Sequence, residues 1–432
     1  MKNRKPERQM VDRVASIILA GGQGTRLFPL TQARCKPAVS FGGRYRLIDI
    51  PLSNSLHSRI NRIFIISQYM AVTVHHHVLE TYQVAIMKTG TIELLSPEEV
   101  EGKKAWFNGT ADAVRKNLDH ILKAPVDFFL ILSGDQLYNM DFVDMLECAK
   151  QADADLLIAS IPVKESEAKR MGLLKIDGSN HVTDFYEKPS DPKMLKNFEV
   201  TDAFLKNHKL SAKETRYLGS MGIYVFKREA LIALLKEQGD DFGKDLLPLQ
   251  IKKGKTSAFI YDGYWEDIGT VESYYHANLA LTDHKNCLDL YDEKNTIYTC
   301  PYNLPSPLIK NTLIQHSIIS QGSVIEGAEI SKSVIGIRTH IKSGTVVRDS
   351  IIIGNHYYKP PPYQSPPLPA HFHIGKDCVI QKAIIDEESL IGNNVQLINK
   401  NHLQKYDGDG IYIRDGIIIV TSGTELPDGF IL

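Results

Sequence analysis

The 432-residue sequence has few cysteines and lacks long apolar runs. Its five cysteines are scattered without a Cys-x-x-Cys pair, which predicts reduced thiols rather than a zinc site or a disulfide framework. No apolar run approaches the ~20 residues that a membrane-spanning helix needs, so no membrane contact is expected. The charged start, Met1 to Arg8, lacks the apolar segment of a secretory signal. Together these absences favour a cytoplasmic protein.

An excess of charge of one sign is also missing. The 50 Lys and Arg balance 51 Asp and Glu, and no basic stripe is present, so a nucleic-acid partner is not expected. The run His75-His76-His77 is a weak metal candidate, because adjacent side chains point in different directions and share one ion with difficulty. A solvated or partly packed face is the favoured interpretation. The length exceeds what one compact core usually holds, so two domains are expected.

What the sequence does contain is a β-branched apolar run that ends abruptly in glycines, from Ile17 to Leu27, followed by Lys36-Pro37. This pattern is typical of a buried strand leading into a phosphate loop, since glycines let backbone N–H groups approach phosphate oxygens. Arg26 and Lys36 would add positive charge beside a polyphosphate. The spacing differs from the dinucleotide fingerprint and from the P-loop. The nucleotide-binding candidates in this loop are Gly21, Gly22, Gly24 and Thr25.

Up to about residue 280, short apolar runs alternate with longer amphipathic ones. Such alternation predicts a Rossmann-like, doubly wound and mostly parallel sheet, with ligands at the carboxyl ends of its strands. The predicted strands are 63–66, 128–132, 156–159 and 223–226, and the predicted helices are 110–123 and 228–238.

Beyond Leu313, β-branched residues recur at every sixth position, for example in the register of Ile335, Ile341, Val347 and Ile353. A six-residue apolar period predicts a parallel β-helix, in which each coil stacks on the previous one. Residues 357–369 are rich in proline and cannot pair as a central strand, so we expect a loop outside the coils. The predicted organisation is an α/β domain at 1–285, a linker at 286–312 and a β-helix at 313–432.

These motifs resemble the sugar-nucleotide pyrophosphorylases over nearly the whole chain. The glycine loop with Lys36-Pro37-Ala38-Val39 carries that resemblance, and Tyr45 to Asn54 is similar to the cyanobacterial and plant glucose-1-phosphate adenylyltransferases, also called ADP-glucose pyrophosphorylases. The resemblance implies an α/β nucleotidyltransferase domain followed by a left-handed parallel β-helix. It also implies transfer of the adenylyl group of ATP to glucose 1-phosphate, the activating step of glycogen or starch synthesis. Mg²⁺ as cofactor and a homotetramer are further implications.

The metal candidates are Asp135 and Asp267. Asp135 follows the apolar run 128–132, after Ser133 and Gly134, and could hold Mg²⁺, although a Gly-Asp pair is by itself more often a turn. The resemblance implies that Asp135 serves metal binding and catalysis and that Asp267 is the second metal carboxylate. The implied catalytic set is Arg26, Lys36, Asp135 and Lys188.

A neighbouring acid and base, Glu187-Lys188, would by default be an exposed ion pair. The resemblance implies instead that Lys188 binds the phosphate of glucose 1-phosphate and Glu187 its hydroxyls. Gly172 and Ser220 match other sugar-pocket positions, as does Phe107, where bacterial relatives often carry tyrosine. Candidates for the nucleotide are Asn108, Gly109, Thr110 and Gln68, the last being almost equally interpretable as a polar strand end.

Three alternatives remain open. Thymidylyl or uridylyl transfer would keep the glycine loop but would not be expected to keep Tyr45 to Asn54. A non-catalytic regulatory subunit would tend to lose Arg26 and Lys36, which are both present. The β-helix could be a second enzyme such as an acyltransferase, although assembly and regulation are favoured.

Regulation is where this sequence departs from its relatives. Arg46 and Arg338 match basic positions of the family and are candidates for binding an effector anion. Ala33 stands where many relatives carry a lysine, and Gln381 and Glu387 stand where plant relatives present lysines for 3-phosphoglycerate. Because a carboxylate in place of a cation repels a phosphorylated effector, we expect weak activation.

Overall fold

The computed structural model describes residues 11–89, 91–97, 99–100, 103–104, 106–189, 191–201, 204–205, 217–363 and 367–432. Two units follow each other along them, an α/β unit up to Asp283 and a β-helix from Leu308 onward. The first strand of the β-helix thus lies inside the segment predicted to be the linker.

The α/β unit alternates strands with helices, as its sequence pattern indicates. Its strands are β1 (Val14–Ala20), β2 (Ser40–Phe41), β3 (Tyr45–Arg46), β4 (Arg62–Ser67), β5 (Thr91–Leu95), β6 (Glu99–Val100), β7 (Lys103–Lys104), β8 (Phe128–Ser133), β9 (Gln136–Tyr138), β10 (Leu156–Val163), β11 (Gly172–Ile176), β12 (Val182–Glu187), β13 (Tyr217–Lys227), β14 (Thr256–Ile260) and β15 (Trp265–Asp267). Its α-helices are α1 (Asp49–His57), α2 (Ala71–Thr89), α3 (Thr110–Lys116), α4 (Leu118–Ile121), α5 (Phe142–Gln151), α6 (Glu165–Ala168), α7 (Pro192–Asn197), α8 (Arg228–Leu234), α9 (Leu247–Lys253) and α10 (Val271–Asp283). Short 3₁₀ helices lie at Thr25–Leu27 and Lys36–Ala38, and a π-helix lies at Phe242–Leu246.

Among the described residues, nine strands form the main sheet, in the order β12-β11-β13-β8-β1-β4-β5, with β10 and β14 joined to it through β13. Strands β8, β1, β4 and β5 are parallel neighbours, and β10 is parallel to β14. The long strand β13 is antiparallel to β8, β10 and β11 and so joins the two parallel groups. The doubly wound sheet with a parallel centre confirms the predicted fold of this unit.

The central strands are buried on both faces, which explains their unbroken apolar sequence. Ile17 and Ile131 point into a core that also contains Ala111 and Val114 of α3 and Leu231 of α8. The opposite faces of the same strands, including Ile18 and Leu130, join a second core with residues of α1, α2, α5 and α10.

Two predicted helices are shorter than expected. The predicted helix 110–123 is divided at Asn117, which lies between α3 and α4 and donates its side-chain amide to Ala113 O at 2.8 Å. Asparagine competes in this way with the backbone ladder. The second helix ends at Leu234 rather than at 238.

The β-helix stacks short strands into three parallel ladders. One ladder contains Leu308–Lys310, Val324–Glu326, His340–Ile341, His373–Ile374, Leu390–Ile391 and Glu425–Leu426. A second contains Leu313–Gln315, Glu329–Ser331, Val346–Arg348, Val379–Gln381 and Gln396–Leu397. The third contains Ile318–Ile319, Val334–Ile335, Ile351–Ile352, Ala383–Ile385 and Ile417–Val420, with Ile411–Arg414 and Lys405–Asp407 added antiparallel at its edge.

The six-residue period corresponds to the inward-facing positions of these ladders. Ile325 stacks on Ile341, Ile330 on Val347, and Ile335 on Ile352, all within one apolar core. One position of the predicted register was wrong: Ile352, not Ile353, points into the coil. Ile353 is buried on the outer side instead, against the α/β unit.

An apolar interface joins the two units. Val334, Ile351, Ile353, Ile384, Ile417 and Ile419 of the β-helix belong to the same core as α10 and the central sheet. Tyr275 of α10 donates its hydroxyl to Asp349 O at 2.5 Å. One ladder of the β-helix therefore completes the hydrophobic core of the α/β unit.

The three consecutive histidines, His75 to His77, do not share a binding site. His75 contacts Ser67 at 2.7 Å, His76 lies 3.3 Å from Glu80, and His77 is buried 2.6 Å from Asp49, so the three rings have separate partners.

In its described part the proline-rich segment contains no strand; residues 364–366 lie outside the description. Nowhere in the described ranges is a helix long and apolar enough to cross a membrane.

Candidate active site

A cavity of about 530 Å³ opens at the carboxyl ends of β1, β4 and β8, the edge at which a doubly wound sheet binds its ligands. Its wall brings together residues that are far apart in sequence. The predicted site residues that line it are Gly21, Gly22, Lys36, Gln68, Phe107, Asn108, Gly109, Thr110, Asp135, Glu187 and Lys188.

The glycine loop turns sharply after β1. Gly24 has a φ of 67°, and a Cβ at this position would lie only 2.9 Å from Thr31 Cγ2, so glycine is needed here. Thr31 Oγ1 donates to Gly24 O at 3.0 Å and fixes the turn. Gly21 and Gly22 therefore reach the cavity wall, whereas Gly24 and Thr25 shape the turn. Arg26 is exposed and lines an adjoining cavity of about 260 Å³ together with Asp267 and Lys188.

Lys36 and Asp135 form an ion pair in the cavity wall. Lys36 Nζ lies 2.5 Å from Asp135 Oδ2, and the lysine side chain is only 11% exposed. Burial disfavours both charges, but the attraction between them outweighs it, so the pKa of Asp135 is lowered and that of Lys36 is raised. Ser133 also donates its hydroxyl to Asp135. Both groups are therefore charged near neutral pH.

Asp267 is brought to Asp135 by the pairing of β9 with β15, in which Asp267 lies opposite Gln136. Ile268 N donates to Asp135 O at 3.3 Å. Burial and the charge of Asp135 raise the pKa of Asp267, and Lys36, Arg26 and Lys188 oppose this effect.

Two neighbouring carboxylates, one partly buried and one exposed, that disfavour each other's charge are a donor set suited to Mg²⁺, a hard cation that takes oxygen ligands. Within the described part of the chain, no cluster of three His, Cys, Asp or Glu residues has a geometry that could hold a metal. The remaining ligands of Mg²⁺ would therefore have to be substrate phosphate oxygens and water. The residues present fit such a shared site.

Glu187 and Lys188 lie at the end of β12, opposite the glycine loop. Lys188 has a φ of 47° and donates its backbone N–H to Met171 O at 3.1 Å. Its Nζ lies 3.2 Å from Glu187 Oε1, and its side chain is 61% exposed, so the ammonium group can reach a ligand. A Cβ on Gly172 would lie 2.7 Å from Glu187 Oε2. Phe185 Cζ would lie still closer to such a Cβ, at 2.4 Å, so Gly172 leaves room for both the Phe185 ring and the Glu187 carboxylate.

Ser220 lies one layer behind the cavity wall. It is buried on β13, and its Oγ accepts a hydrogen bond from Gly222 N at 3.3 Å. Gly222, with a φ of 71°, is the residue that lines the cavity. The structure thus indicates a supporting position for Ser220.

The segment 106–110 covers one side of the cavity. Gln68 accepts from Phe107 N at 2.5 Å and donates to Phe107 O at 3.3 Å, so its amide orients this segment. A Cβ on Gly109 would lie 2.3 Å from Asp240 O, which explains the glycine. Asn108 N donates to Asp112 Oδ2 at 2.9 Å, and Thr110 Oγ1 donates to Asp241 Oδ2 at 3.0 Å.

Two family models match the chain. Residues 15–284, more than half of the chain, match the Nucleotidyl transferase family. The chain belongs to the nucleotidyl transferase family. Residues 302–431 match the GLGC left-handed parallel beta-helix domain. This pairing of domains is the architecture of ADP-glucose pyrophosphorylase-like proteins and fits a sugar-nucleotide pyrophosphorylase.

The cavity of this nucleotidyl transferase also contains residues that the sequence analysis missed. Tyr69, Tyr224, Asp241, Phe242 and Gly243 line it. The last three lie at the start of the π-helix, where Asp241 is the N-cap residue and accepts from Lys244 N at 3.0 Å. The sequence feature that could have indicated these three cavity residues is the run Asp240-Asp241-Phe242-Gly243.

The two effector candidates of the transferase do not line the cavity: Arg46 lies on β3 and contacts the β-helix, and Arg338 lies within the β-helix. Arg46 donates to Ala38 O, and its Nη2 lies 2.7 Å from His356 Nε2. Arg338 lies between two aromatic rings, 5.2 Å from the centroid of Tyr302 and 5.7 Å from that of Tyr358. Both guanidinium groups therefore already have partners within the chain.

Glu387 has a different environment from the one that the effector argument assumed. Its side chain is 7% exposed and pairs with Arg34 Nη2 at 2.8 Å. Burial opposes its charge, but Arg34, His356 and Arg46 lower the pKa of Glu387 to about 2. The cations around Glu387 therefore neutralise its carboxylate inside the protein.

Proposed function

We propose that this nucleotidyl transferase moves the adenylyl group of ATP to α-D-glucose 1-phosphate, giving ADP-glucose and pyrophosphate. The observation that carries the proposal is the single cavity in which a glycine loop and Lys36 face Glu187 and Lys188. A triphosphate-binding side and a sugar-phosphate-binding side thus share one space. The GLGC β-helix domain supports the choice of ADP-glucose.

In the proposed reaction, a phosphate oxygen of glucose 1-phosphate attacks the α-phosphorus of ATP in line. The new P–O bond forms as the bond to the pyrophosphate oxygen breaks, and no covalent enzyme intermediate is needed. Catalysis then rests on positioning and charge neutralisation. Lys188 orients the attacking phosphate, and Arg26 and Lys36 stabilise the charge on the departing pyrophosphate.

Other side chains recognise the substrates in this proposal. Glu187 accepts hydrogen bonds from sugar hydroxyls, and Asp241, across the same cavity, offers a second carboxylate. Asn108 to Thr110 bind the nucleotide, with Gln68 orienting them through Phe107. Asp135 and Asp267 would hold Mg²⁺, which when bound supplies positive charge beside the α-phosphate.

One assay tests the function directly. Pyrophosphate release by the purified full-length protein is measured for each nucleoside triphosphate with several sugar 1-phosphates, in the presence of Mg²⁺. The proposal requires ATP with glucose 1-phosphate to have the highest kcat/KM. A preference for UTP or dTTP would establish the alternative nucleotide specificity, and no turnover with any pair would favour a regulatory subunit.

Replacing Lys188 by alanine should weaken the sugar side selectively. We expect KM for glucose 1-phosphate to rise about ten-fold or more while KM for ATP changes less than about three-fold, because one phosphate cation is lost. Lys193→Ala, on the exposed start of α7, is a suitable control. Equal weakening toward both substrates would contradict the assigned role.

We also propose that effectors act weakly on this enzyme. Arg46 and Arg338 are already engaged within the chain, and Glu387 adds negative charge between Arg34 and Arg46. Initial rates measured across a titration of 3-phosphoglycerate or fructose 1,6-bisphosphate should therefore change less than about ten-fold, that is, by less than ~1.4 kcal/mol of coupling. Stronger activation would show that an accessible anion site exists.

A cytoplasmic homotetramer is the assembly that we propose. The first coil of the β-helix offers strand edges, at Leu308–Lys310 and Leu313–Gln315, that are suited to contact between subunits. Light scattering of the purified protein at several concentrations measures its mass in solution, and a stable monomer would overturn this proposal.

A further inference from the structure

A cluster of buried charges joins the loop that carries Lys36 to one coil of the β-helix. Arg34 Nη1 donates to both carboxylate oxygens of Asp386, at 2.8 and 3.1 Å, and Arg34 Nη2 donates to Glu387 Oε2 at 2.8 Å. The Arg34 side chain is only 6% exposed, and the two carboxylates are buried with it. One guanidinium thus holds two acidic residues that follow it by some 350 positions in the chain.

The same coil also contacts the loop on the other side of Lys36. Ser40 Oγ donates to Glu387 Oε1 at 3.0 Å, and Tyr274 of α10 donates its hydroxyl to Ser40 O at 2.7 Å. Glu387 therefore binds the chain both before and after the 3₁₀ turn Lys36–Ala38. This turn contains Pro37, whose fixed φ limits the ways in which the segment can rearrange.

Only Cys35 separates Arg34 from Lys36, and the two side chains have opposite destinations. Arg34 is anchored in the β-helix, whereas Lys36 contacts Asp135 in the cavity at 2.5 Å. A shift of the Arg34 backbone would therefore move Lys36, and small displacements of a charged group in an active site have large effects on rate.

We propose that Arg34 is a positioning residue, through which Asp386 and Glu387 of the β-helix hold Lys36 against Asp135. The assignment deepens the proposed function, since it rests on the role of Lys36 in binding phosphate. Arginine suits this position because its planar fork spans two carboxylates, and a lysine would supply only one point charge.

The first test is kinetic. Glu387→Gln and Arg34→Gln should lower kcat at least about ten-fold while changing the KM of either substrate less than about three-fold. Arg34→Lys should retain an intermediate kcat. The matched control is Glu329→Gln, which removes the exposed pair with Arg348 on the outer wall of the same β-helix and should leave kcat unchanged.

The second test needs no substrate. Acylation of lysine amines in the ligand-free protein is followed by mass spectrometry, with exposed Lys188 as the internal reference. In Arg34→Gln and Glu387→Gln, Lys36 should react at least about five-fold faster relative to Lys188, because its contact with Asp135 opens more often. Thermal unfolding of each variant identifies the temperature range in which the labelled protein is folded.

The outcomes separate this inference from the proposed function. Faster labelling of Lys36 supports the positioning role even if another substrate pair turns out to be the true one, and the kinetic test is then repeated with that pair. Folded variants in which both Lys36 labelling and kcat match the wild type would overturn the inference, as would an equal change in Glu329→Gln.

Discussion

Replacing Asp135 by asparagine is expected to reduce kcat at least about a hundred-fold, which corresponds to ~2.7 kcal/mol of transition-state stabilisation. The substitution keeps the size of the side chain but removes the charge that pairs with Lys36 and could hold Mg²⁺. Initial rates at saturating Mg²⁺ and substrates measure the effect. Binding of glucose 1-phosphate, followed by calorimetry, should change little, since Glu187 and Lys188 are untouched.

Asp144→Asn is the matched control for this prediction. Asp144 lies on α5 in the same domain and is exposed, so its replacement should leave turnover within about two-fold of the wild type. If Asp135→Asn retains more than about a tenth of the wild-type rate, the assignment of this carboxylate to metal and phosphate chemistry is wrong.

Removing the chain after Asp292 should abolish activity and leave a poorly soluble protein. The truncation uncovers the part of the α/β core that packs on Ile351, Ile353, Ile384 and Ile419. Each large apolar side chain that loses its burial costs about 1.5–3 kcal/mol, so the loss approaches the whole stability of a typical domain. Arg34 also loses both carboxylate partners and becomes an unpaired charge.

Gel filtration and turnover of the truncated protein measure this effect. A variant that shortens only the proline-rich segment is the control and should remain folded, because the described part of that segment contains no strand of a ladder. A truncated protein that stays monodisperse and fully active would contradict the prediction and would show that the α/β unit folds independently.

The periodic parts of the fold could be predicted from sequence, because each period reports one repeated environment. Buried runs such as 128–132 and the six-residue repeat both reflect side chains that face a core at regular intervals. The position of Ile353 could not be predicted, since residues 351–353 are all isoleucine and only the α/β interface decides which of them faces the coil. The break at Asn117 was missed because its side-chain hydrogen bond to the backbone overrides the apolar pattern around it.

The placement of cavity residues was predictable where a motif follows the end of a buried strand, as with Gly21 after β1 and Asp135 after β8. It was not predictable where a residue acts through a distant partner. The burial of Glu387 depends on Arg34 and on the docking of the β-helix, and no local pattern reveals that contact. Likewise, Asp241 enters the cavity because of its contacts with Thr110 and the π-helix, which join segments more than a hundred residues apart.

The two long insertions in the β-helix leave the stacking register of its ladders intact. Ile341 stacks on Ile374 across the proline-rich segment, and Ile385 stacks on Val420 across the antiparallel hairpin. Both insertions enter at a corner between ladders, where the chain already leaves the stack. New segments can therefore be gained or lost there by gene insertion without remodelling the wall, so the corners are the places where related proteins can diversify and where a reporter domain can be grafted.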